Sequence, residues 1–580
     1  MNLGALQIQA IVDATKIPTP EQVRVVEAPR RPLLVVAGAG SGKTETMSMR
    51  VLWLLANHPD LTPSSILGLT FTRKAAGELG ERLRERIRLL SREMPQLRER
   101  LDEDPAALTY NSFAERIVSE HGMRIGLDPD FSMLSEAGAI DLMTQIVESW
   151  PTDLDDELTP AGVVGKVLHL SGEIAEHGYT VERAREALEE FGRELEQVGR
   201  GNKESRKAMD VNLRRIAFLG PIAAYQQRKR EMGVLDFSDQ LVLATRIVRE
   251  APAVRASLRE EFRAVLLDEF QDTSVIQMDL LSMLFADHAV TAVGDPNQAI
   301  YGWRGASASS LESFLDRFQT GEAEESQTLT LSTAWRNDVS ILDAANRVAA
   351  PLREVPSFQV GKQELKAQSP VLVPRGGAGP GAVDIAFTQD YDEALGAMVD
   401  FVQRVRSQPV KDGKRRSVAV LSRQRRDFPL IDDALREAGI PTEIVGLGGL
   451  LDQPAVQDVR AALELAYDVE ASPWLARLLA GIDLGAADLM ALGDWARFQA
   501  RQEGVHPHQA ILLDAVDSPP KPGWAAEGHP AISEEAVRRV RLLAERLRQV
   551  REGVGRSITE QVERAILIMG TLDDVIADPL

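Results

Sequence analysis

The stretch Leu33-Leu34-Val35-Val36-Ala37-Gly38-Ala39-Gly40-Ser41-Gly42-Lys43-Thr44 decides the fold. Its apolar half indicates a buried strand that closes on glycines, and the residues after Thr44 have helical spacing. Strand, glycine-rich loop and helix in this order form a phosphate-binding loop. The strict pattern has glycine where Ala37 stands, but Gly-Ser-Gly-Lys-Thr after an apolar strand is the specific part.

A phosphate-binding loop predicts which residues bind a nucleotide. Backbone N–H groups of the loop and the N-terminus of the following helix surround the β-phosphate. Lys43 would neutralise charge on the β- and γ-phosphates, and Thr44 would offer its hydroxyl to Mg²⁺. The candidate ATP contacts of the loop are therefore Ala37, Gly38, Ala39, Gly40, Ser41, Gly42, Lys43 and Thr44.

A second run, Val265-Leu266-Leu267-Asp268-Glu269, delivers two carboxylates at the end of an apolar strand. Ligands bind at the carboxyl edge of parallel sheets, so these carboxylates should lie beside the loop. Asp268 is the candidate Mg²⁺ residue, and Glu269 is the candidate base that orients and deprotonates the attacking water. A faint likeness of Leu170-Ser171-Gly172-Glu173 to an ABC-type ATPase signature lacks the following Gly-Gln and is discounted.

Apolar runs alternate with helical patterns and predict a doubly wound α/β fold. The runs of the first unit are Leu33 to Ala37, Ile66 to Phe71, Val265 to Leu267 and Ala289 to Val293. A second α/β unit is expected from Thr328 to Leu331, Val383 to Phe387, Val418 to Leu421 and Thr442 to Val445. The predicted division is 1–111 with 231–325 as the first domain, 112–230 as a helical insertion, 326–453 as a second domain, and 454–580 as a second helical insertion.

Composition excludes several classes of protein. The 580 residues contain no cysteine, which excludes disulfides and thiolate metal sites in this chain, and the eight histidines form no metal-binding cluster. No apolar run is long enough to span a membrane, and we expect a cytoplasmic protein. The net charge of -21 argues against bulk coating of nucleic acid, although local basic stretches occur at Arg82 to Arg88, Lys411 to Arg426 and Arg538 to Arg551.

Three further stretches, at residues 268–273, 293–306 and 69–76, resemble motifs of superfamily 1 DNA helicases of the UvrD, Rep and RecB type. Asp268-Glu269-Phe270-Gln271-Asp272-Thr273 resembles the DEFQDT motif. Val293-Gly294-Asp295-Pro296-Asn297-Gln298-Ala299-Ile300-Tyr301-Gly302-Trp303-Arg304-Gly305-Ala306 resembles VGDxxQSIYxWRGA. Leu69-Thr70-Phe71-Thr72-Arg73-Lys74-Ala75-Ala76 is similar to the TFTNKAA motif. The resemblance implies tandem RecA-like domains with helical insertions.

The resemblance also implies residues that contact the nucleotide. Thr19-Pro20-Glu21-Gln22 is similar to the Q motif, so Gln22 would read the adenine edge. Ala334-Trp335-Arg336-Asn337 matches the NYRS motif, so Trp335 would stack on the base and Arg336 would reach the γ-phosphate. Gln298 would sense the γ-phosphate and pass its state to the DNA site. Plain core packing is the alternative for Trp335.

In the resembled family, Phe71, Tyr301, Trp303 and Arg304 face single-stranded DNA. Aromatic stacking tolerates any sequence because every base has a π-face, and this suits a motor that steps along DNA. Structural packing is the alternative for Tyr301.

Two residues depart from the family pattern. Asn111 stands where a TFHSF-like motif has histidine, which leaves a DNA contact there open. Glu45 follows Thr44, where UvrD-type motors carry arginine. The stretch Gly42-Lys43-Thr44-Glu45-Thr46-Met47, together with Val445 to Leu451, resembles AdnB, the motor subunit of bacterial helicase-nucleases, more than it resembles UvrD.

The resemblance implies ATP-driven, 3′ to 5′ movement on single-stranded DNA and at duplex junctions, in DNA repair or recombination. It also implies a heterodimer with a second helicase-nuclease subunit. A motor-silent DNA-binding subunit and a nucleotide switch without DNA are the rival interpretations. Late motifs resembling TxHxxKGLEW and ALTRA do not occur between Pro454 and Leu580, so we expect the N-terminal part of a longer protein, with an incomplete second RecA-like domain and no unwinding by itself.

Overall fold

The computed structural model of the protein describes residues 3–128, 131–152, 154, 158–198, 203–302, 310–319, 327–353, 368–408, 416–445, 453–469, 471–505 and 510–572. Contacts divide the chain into two units, Met1–Val383 and Asp384–Leu580. Among the described residues, no helix combines the length and the apolar character that crossing a lipid bilayer requires.

The first unit is built on a parallel sheet. In chain order the described strands of this unit are β1 (Leu33–Ala37), β2 (Ile66–Thr70), β3 (Ala106–Thr109), β4 (Ser132–Met133), β5 (Val234–Leu235), β6 (Ala264–Leu267), β7 (Val290–Gly294), β8 (Gln327–Leu331), β9 (Thr333–Ala334) and β10 (Val373–Pro374). Six of them form the sheet, in the order β3-β2-β6-β7-β1-β8. Two pairs of two-residue strands, β4 with β5 and β9 with β10, lie outside it.

Fourteen helices of the first unit are described. They are α1 (Ala5–Asp13), α2 (Pro20–Val26), α3 (Lys43–Asn57), α4 (Arg73–Glu93), α5 (Tyr110–His121), α6 (Glu136–Glu148), α7 (Pro160–Glu176), α8 (Val181–Val198), α9 (Lys203–Met232), α10 (Phe237–Glu250), α11 (Pro252–Glu261), α12 (Val275–Phe285), α13 (Ser310–Phe318) and α14 (Val339–Arg353).

Both faces of the sheet are covered because alternate residues of each strand point to opposite sides. On β1, Leu34 and Val36 pack with α5 and α10 to α13, whereas Leu33 and Val35 pack with α1 to α4. Every residue of β1, β2, β6 and β7 is buried. Strands buried on both faces read as continuous apolar runs, and this is why the sequence predicted them. The doubly wound α/β fold is confirmed.

The prediction that Thr328 to Leu331 starts a second sheet is wrong. β8 pairs in parallel with β1, with Leu329 opposite Val35, and is therefore the edge strand of the first sheet. An apolar run indicates a strand but carries no information about its partner.

The other strands expected for a second sheet are not formed in the described residues. Residues 383–387, 418–421 and 442–445 belong to no strand. Their apolar side chains are largely exposed, as Ile385 (82%), Phe387 (100%) and Leu421 (93%) illustrate. An extended segment forms a ladder only when another strand satisfies its N–H and C=O groups, so the run by itself was insufficient.

Most of the region predicted as the first helical insertion, from α6 to α9, is helical and has a core of its own, whereas α5 packs on the sheet. The helices α6 to α9 pack around Val167, Phe218, Leu219 and Tyr225, all buried. This small core is separate from the two layers that cover the sheet.

The second unit is helical in its described part. Its helices are α15 (Tyr391–Ser407), α16 (Phe428–Glu437), α17 (Pro454–Tyr467), α18 (Ser472–Gly481), α19 (Ala486–Gln502), α20 (Leu512–Asp517), α21 (Glu534–Arg551) and α22 (Ile558–Met569). The last six share one hydrophobic core. A smaller core joins α15 to α16.

Arg50 of α3 is fully buried and holds the loop before β1 against the sheet. Its Nε donates to Thr291 Oγ1 of β7 at 2.8 Å. The Nη atoms donate to the backbone carbonyls of Val25, Val26, Ala28 and Pro29. Burial lowers the pKa of Arg50 to about 10. The guanidinium fork therefore ties the end of α2 and the loop before β1 to β7.

Replacing Arg50 by lysine should destabilise the first unit. A single ammonium group cannot satisfy acceptors in so many directions, and buried carbonyls without donors cost about 1–3 kcal/mol each. We expect Arg50→Lys to lower the denaturation midpoint measured by circular dichroism. The exposed Arg24 provides the matched control: Arg24→Lys should change stability by less than about 0.5 kcal/mol. Equal midpoints for the two variants would contradict this role of Arg50.

Candidate nucleotide and DNA site

The loop between β1 and α3 has the backbone geometry that a phosphate-binding loop needs. Gly40 (φ 72°) and Gly42 (φ 81°) lie in the left-handed region, where other residues are strained. Gly42 is also the N-cap of α3, so the helix dipole points its positive end into the loop. The Ser41 hydroxyl is buried and has no hydrogen-bond partner among the described residues. The loop therefore fits an anion with acceptor oxygens.

Not all predicted loop residues are equally available to a ligand. Ala37 is the last residue of β1 and is buried in the core. The N–H of Gly38 donates to the Leu331 carbonyl at 3.0 Å, and that of Ser41 donates to the Gly38 carbonyl at 3.2 Å. The sheet and the loop thus use part of the donor set that the sequence assigned to phosphate.

Lys43 and Glu269 meet across the carboxyl edge of the sheet. Lys43 Nζ lies 2.7 Å from Glu269 Oε2, although 226 positions separate the two residues. Glu269 adopts a left-handed backbone (φ 49°), an uncommon conformation for a residue with a side chain. Strained residues cluster at functional sites. The geometry brings the two sequence-predicted residues into one site.

Asp268 lies deeper than Glu269 and is 7% exposed. Burial, followed by the neighbouring Glu269 carboxylate, raises the pKa of Asp268 to about 6. Its Oδ1 accepts a hydrogen bond from the Glu269 N–H at 3.1 Å, and its backbone carbonyl accepts one from Tyr110 Oη at 3.0 Å. A buried carboxylate with a raised pKa favours a bound cation, as Mg²⁺ held by Asp268 and Thr44 would provide.

A chain of hydrogen bonds connects Glu269 to Gln298. Gln271 Nε2 donates to Glu269 Oε2 at 2.9 Å, and Gln271 Oε1 accepts from the Asp295 N–H at 3.1 Å. Asp295 Oδ2 then accepts from Gln298 Nε2 at 2.7 Å, while Oδ1 accepts from Ser369 Oγ at 2.5 Å. Gln271 and Asp295 lie within the motifs quoted above, but the sequence did not predict them as site residues. Ser369 lies in no motif, so its contact could not be predicted.

Gln22 and Trp335 line one pocket of about 260 Å³ next to the loop. Trp335 is 41% exposed, which argues against the alternative of plain core packing. The backbone N–H of Trp335 donates to the Gly40 carbonyl at 2.8 Å. The Gln22 amide is already engaged, because its oxygen accepts from the Thr19 N–H and its nitrogen donates to the Ser41 carbonyl. The pocket suits a planar apolar group.

Arg336 and Trp335 are carried to the loop by the segment after β8. Glu21 of α2 clamps this segment, since its carboxylate accepts from the N–H and the hydroxyl of Ser332, both at 2.8 Å. A Cβ added at Gly40 would lie only 3.1 Å from Arg336 Cβ. Arg336 is therefore anchored beside the loop, and its side chain is exposed.

The aromatic residues assigned to DNA are only partly within the described chain. Phe71 follows β2 and Tyr301 follows β7, and their ring centroids are 4.7 Å apart. Both residues are half-buried. Trp303 and Arg304 lie outside the described residues, as does most of the stretch from Val445 to Leu451. Asn111 accepts a hydrogen bond from Gln277 Nε2 at 3.2 Å.

No group of three or more histidine or acidic residues with metal-binding geometry occurs among the described residues.

Comparison with known proteins identifies the family. A family model described as UvrD/REP helicase N-terminal domain matches residues 18–319. DNA helicase II of Escherichia coli (strain K12) is 28% identical over 447 residues, which cover 77% of this chain and 54% of that protein.

Two further relatives match a similar length of this chain. The ATP-dependent DNA helicase PcrA of Leuconostoc citreum is 26% identical over 446 residues, covering 77% of this chain and 52% of that protein. PcrA of Staphylococcus aureus (strain Mu50 / ATCC 700699) is 25% identical over 451 residues, covering 77% and 53%. The chain spans about half the length of the curated relatives it matches. Because the family model matches more than half of the chain, this protein belongs to the UvrD/REP helicase family.

Proposed function

We propose that the chain is the nucleotide-binding part of an ATP-dependent DNA helicase that moves on single-stranded DNA. The observation that carries this proposal is the meeting of Lys43 and Glu269 at 2.7 Å, beside a loop built for phosphate. The relatives named above, DNA helicase II and PcrA, support DNA as the substrate.

In this proposal, the loop and Lys43 bind the phosphates of ATP. Loop N–H groups, the Ser41 hydroxyl and the N-terminus of α3 would contact the phosphate oxygens. Thr44 and Asp268 would hold Mg²⁺. The metal ion supplies charge neutralisation at the β- and γ-phosphates. The arriving phosphates compete with Glu269 for the ammonium group of Lys43.

Glu269 is the proposed general base. Once Lys43 turns to phosphate, the Glu269 carboxylate is free to orient a water molecule and accept its proton during attack on the γ-phosphate. Gln271 keeps a hydrogen bond to Glu269 and so restricts the carboxylate's orientation. Arg336, beside Gly40, would stabilise charge on the γ-phosphate from the other side of the loop.

The remaining predicted contacts are kept as parts of this proposal. Gln22 and Trp335 would hold the adenine, which requires Gln22 to exchange at least one of its present hydrogen bonds. Gln298 would report the state of the phosphates through Asp295 and Gln271. DNA would stack on Phe71 and Tyr301 and reach Trp303 and Arg304.

Finer aspects of function are also proposals. They comprise 3′ to 5′ polarity, a role in DNA repair or recombination, an AdnB-like subtype, and a heterodimeric helicase-nuclease partner. A second RecA-like domain also belongs with them, although Thr328 to Leu331 is part of the first sheet. The family resemblance of the quoted motifs supports each of these.

Glu269→Gln should separate ATP binding from hydrolysis. The amide keeps the size of the side chain but cannot accept the proton of water, so hydrolysis of bound ATP should slow by about 10² or more. ATP affinity in equilibrium titrations should stay near normal or rise, because the neutral amide competes less with the phosphates for Lys43. The exposed Glu260 on α11 is the control, since Glu260→Gln should change neither quantity. Reduced binding with unchanged turnover of bound ATP would instead make Glu269 a structural residue.

Phe71→Ala should weaken binding of a single-stranded oligonucleotide. Loss of a stacked base typically costs about 1–3 kcal/mol, and fluorescence anisotropy would measure it directly. ATP affinity should be unaffected. Tyr179, an aromatic residue of the same unit that is 44% exposed, serves as the control through Tyr179→Ala. If DNA affinity is retained while the melting temperature falls, Phe71 is a packing residue and the DNA assignment is wrong.

A further inference from the structure

Glu45 lies at the edge of the base pocket and is held there by an ion pair. It stands in the first turn of α3, two residues after Lys43, and lines the pocket together with Trp335 and Gln22. Its Oε2 lies 2.5 Å from Arg86 Nη2 of α4, and both side chains are largely buried (26% and 11% exposed). The residue that departs from the family pattern is thus built into the pocket wall with its own counter-ion.

The second carboxylate oxygen of Glu45 is unsatisfied. Oε1 is buried and accepts no hydrogen bond from the described residues. Other polar groups of the pocket are engaged: Thr46 Oγ1 donates to the Gly42 carbonyl, and Gln9 Nε2 donates to the Asp13 carbonyl. Among the described residues that line the pocket, Glu45 carries the only carboxylate.

A carboxylate beside an apolar pocket has a definite chemical preference. Its burial is tolerable because Arg86 compensates the charge, but an oxygen without a donor still costs free energy. Because Oε1 has almost no accessible surface, a donor from a ligand reaches it only when the carboxylate turns about its ion pair with Arg86. A donor that does so relieves this cost, whereas an acceptor is repelled. The donors of a nucleoside that could enter beside Trp335 are the 6-amino group of adenine and the ribose hydroxyls.

We propose that Glu45, positioned by Arg86, is a specificity-determining residue that accepts a hydrogen bond from the nucleoside of the bound triphosphate. This inference rests on the proposed function, in which the pocket takes the base of ATP. Arg86 is a positioning residue, because it acts through Glu45 and does not line the pocket.

Competition binding with four probes tests the inference. The probes are ATP, purine riboside triphosphate, which lacks the 6-amino group, 2′-deoxyATP, which lacks one ribose hydroxyl, and inorganic triphosphate, which lacks the nucleoside. The wild-type protein should prefer ATP over one of the two analogues by about 10-fold, the usual effect of a hydrogen bond to a charged group. The analogue that binds more weakly identifies the donor.

Glu45→Ala should reduce that preference to near 1, and Glu45→Gln, which keeps an acceptor oxygen, should restore part of it. Inorganic triphosphate should bind equally to all variants. Glu81 on α4 lies near Arg86 but does not line the base pocket, and Glu81→Ala should behave as wild type. A purely structural role would weaken ATP and both analogues alike, so the ratio of affinities isolates the proposed contact.

The possible failures are distinguishable. An unchanged preference in Glu45→Ala, or no preference in the wild type, overturns the role of Glu45 while ATP binding itself stands. If the wild type binds ATP no better than inorganic triphosphate, the base site of the proposed function is wrong, and the inference falls with it.

Discussion

The ion pair between Lys43 and Glu269 is the interaction on which the site depends. β1 and β6 are not neighbours, because β7 lies between them, yet parallel pairing places all three carboxyl ends on one edge. The pair therefore forms only when the whole sheet is assembled. Gly294 at the end of β7 is part of the same requirement, since a Cβ there would lie 2.6 Å from Gln271 Oε1. The sheet, the phosphate-binding loop and the hydrogen-bond chain from Glu269 to Gln298 therefore depend on one another.

Charge explains why this edge of the sheet needs a ligand. Asp268 and Asp272 both have a pKa raised to about 6, in each case by burial first and the Glu269 carboxylate second. A carboxyl group whose folded pKa is raised favours the folded state when protonated, and this contribution is lost as the pH rises from the ordinary value through about 6. Near neutral pH the edge thus holds several carboxylates with Lys43 as their nearby cation. A bound metal ion would relieve this repulsion.

The sequence predicted those features that depend on local pattern. Continuous apolar runs indicated the buried strands β1, β2, β6 and β7, and glycine spacing indicated the loop. Features that depend on distant partners could not be predicted. The apolar run at β8 does not indicate that β1 is its neighbour. Ser369 carries no motif, and Arg86 is noticeable only as one member of the basic stretch Arg82 to Arg88. The sequence shows that Glu45 departs from the family pattern. Its ion pair with Arg86 could not be predicted, because that contact depends on where α4 lies.

We propose that Lys43 exchanges Glu269 for the phosphates of ATP when the nucleotide binds. Calorimetric titration of ATP with Mg²⁺ into the wild-type protein and into Lys43→Ala tests this exchange most directly. We expect saturable binding of one nucleotide by the wild type and an affinity at least about 10-fold lower in the variant, whose circular dichroism spectrum should match the wild type. Equal affinities for the two proteins, or no saturable binding by a folded wild type, would contradict the account.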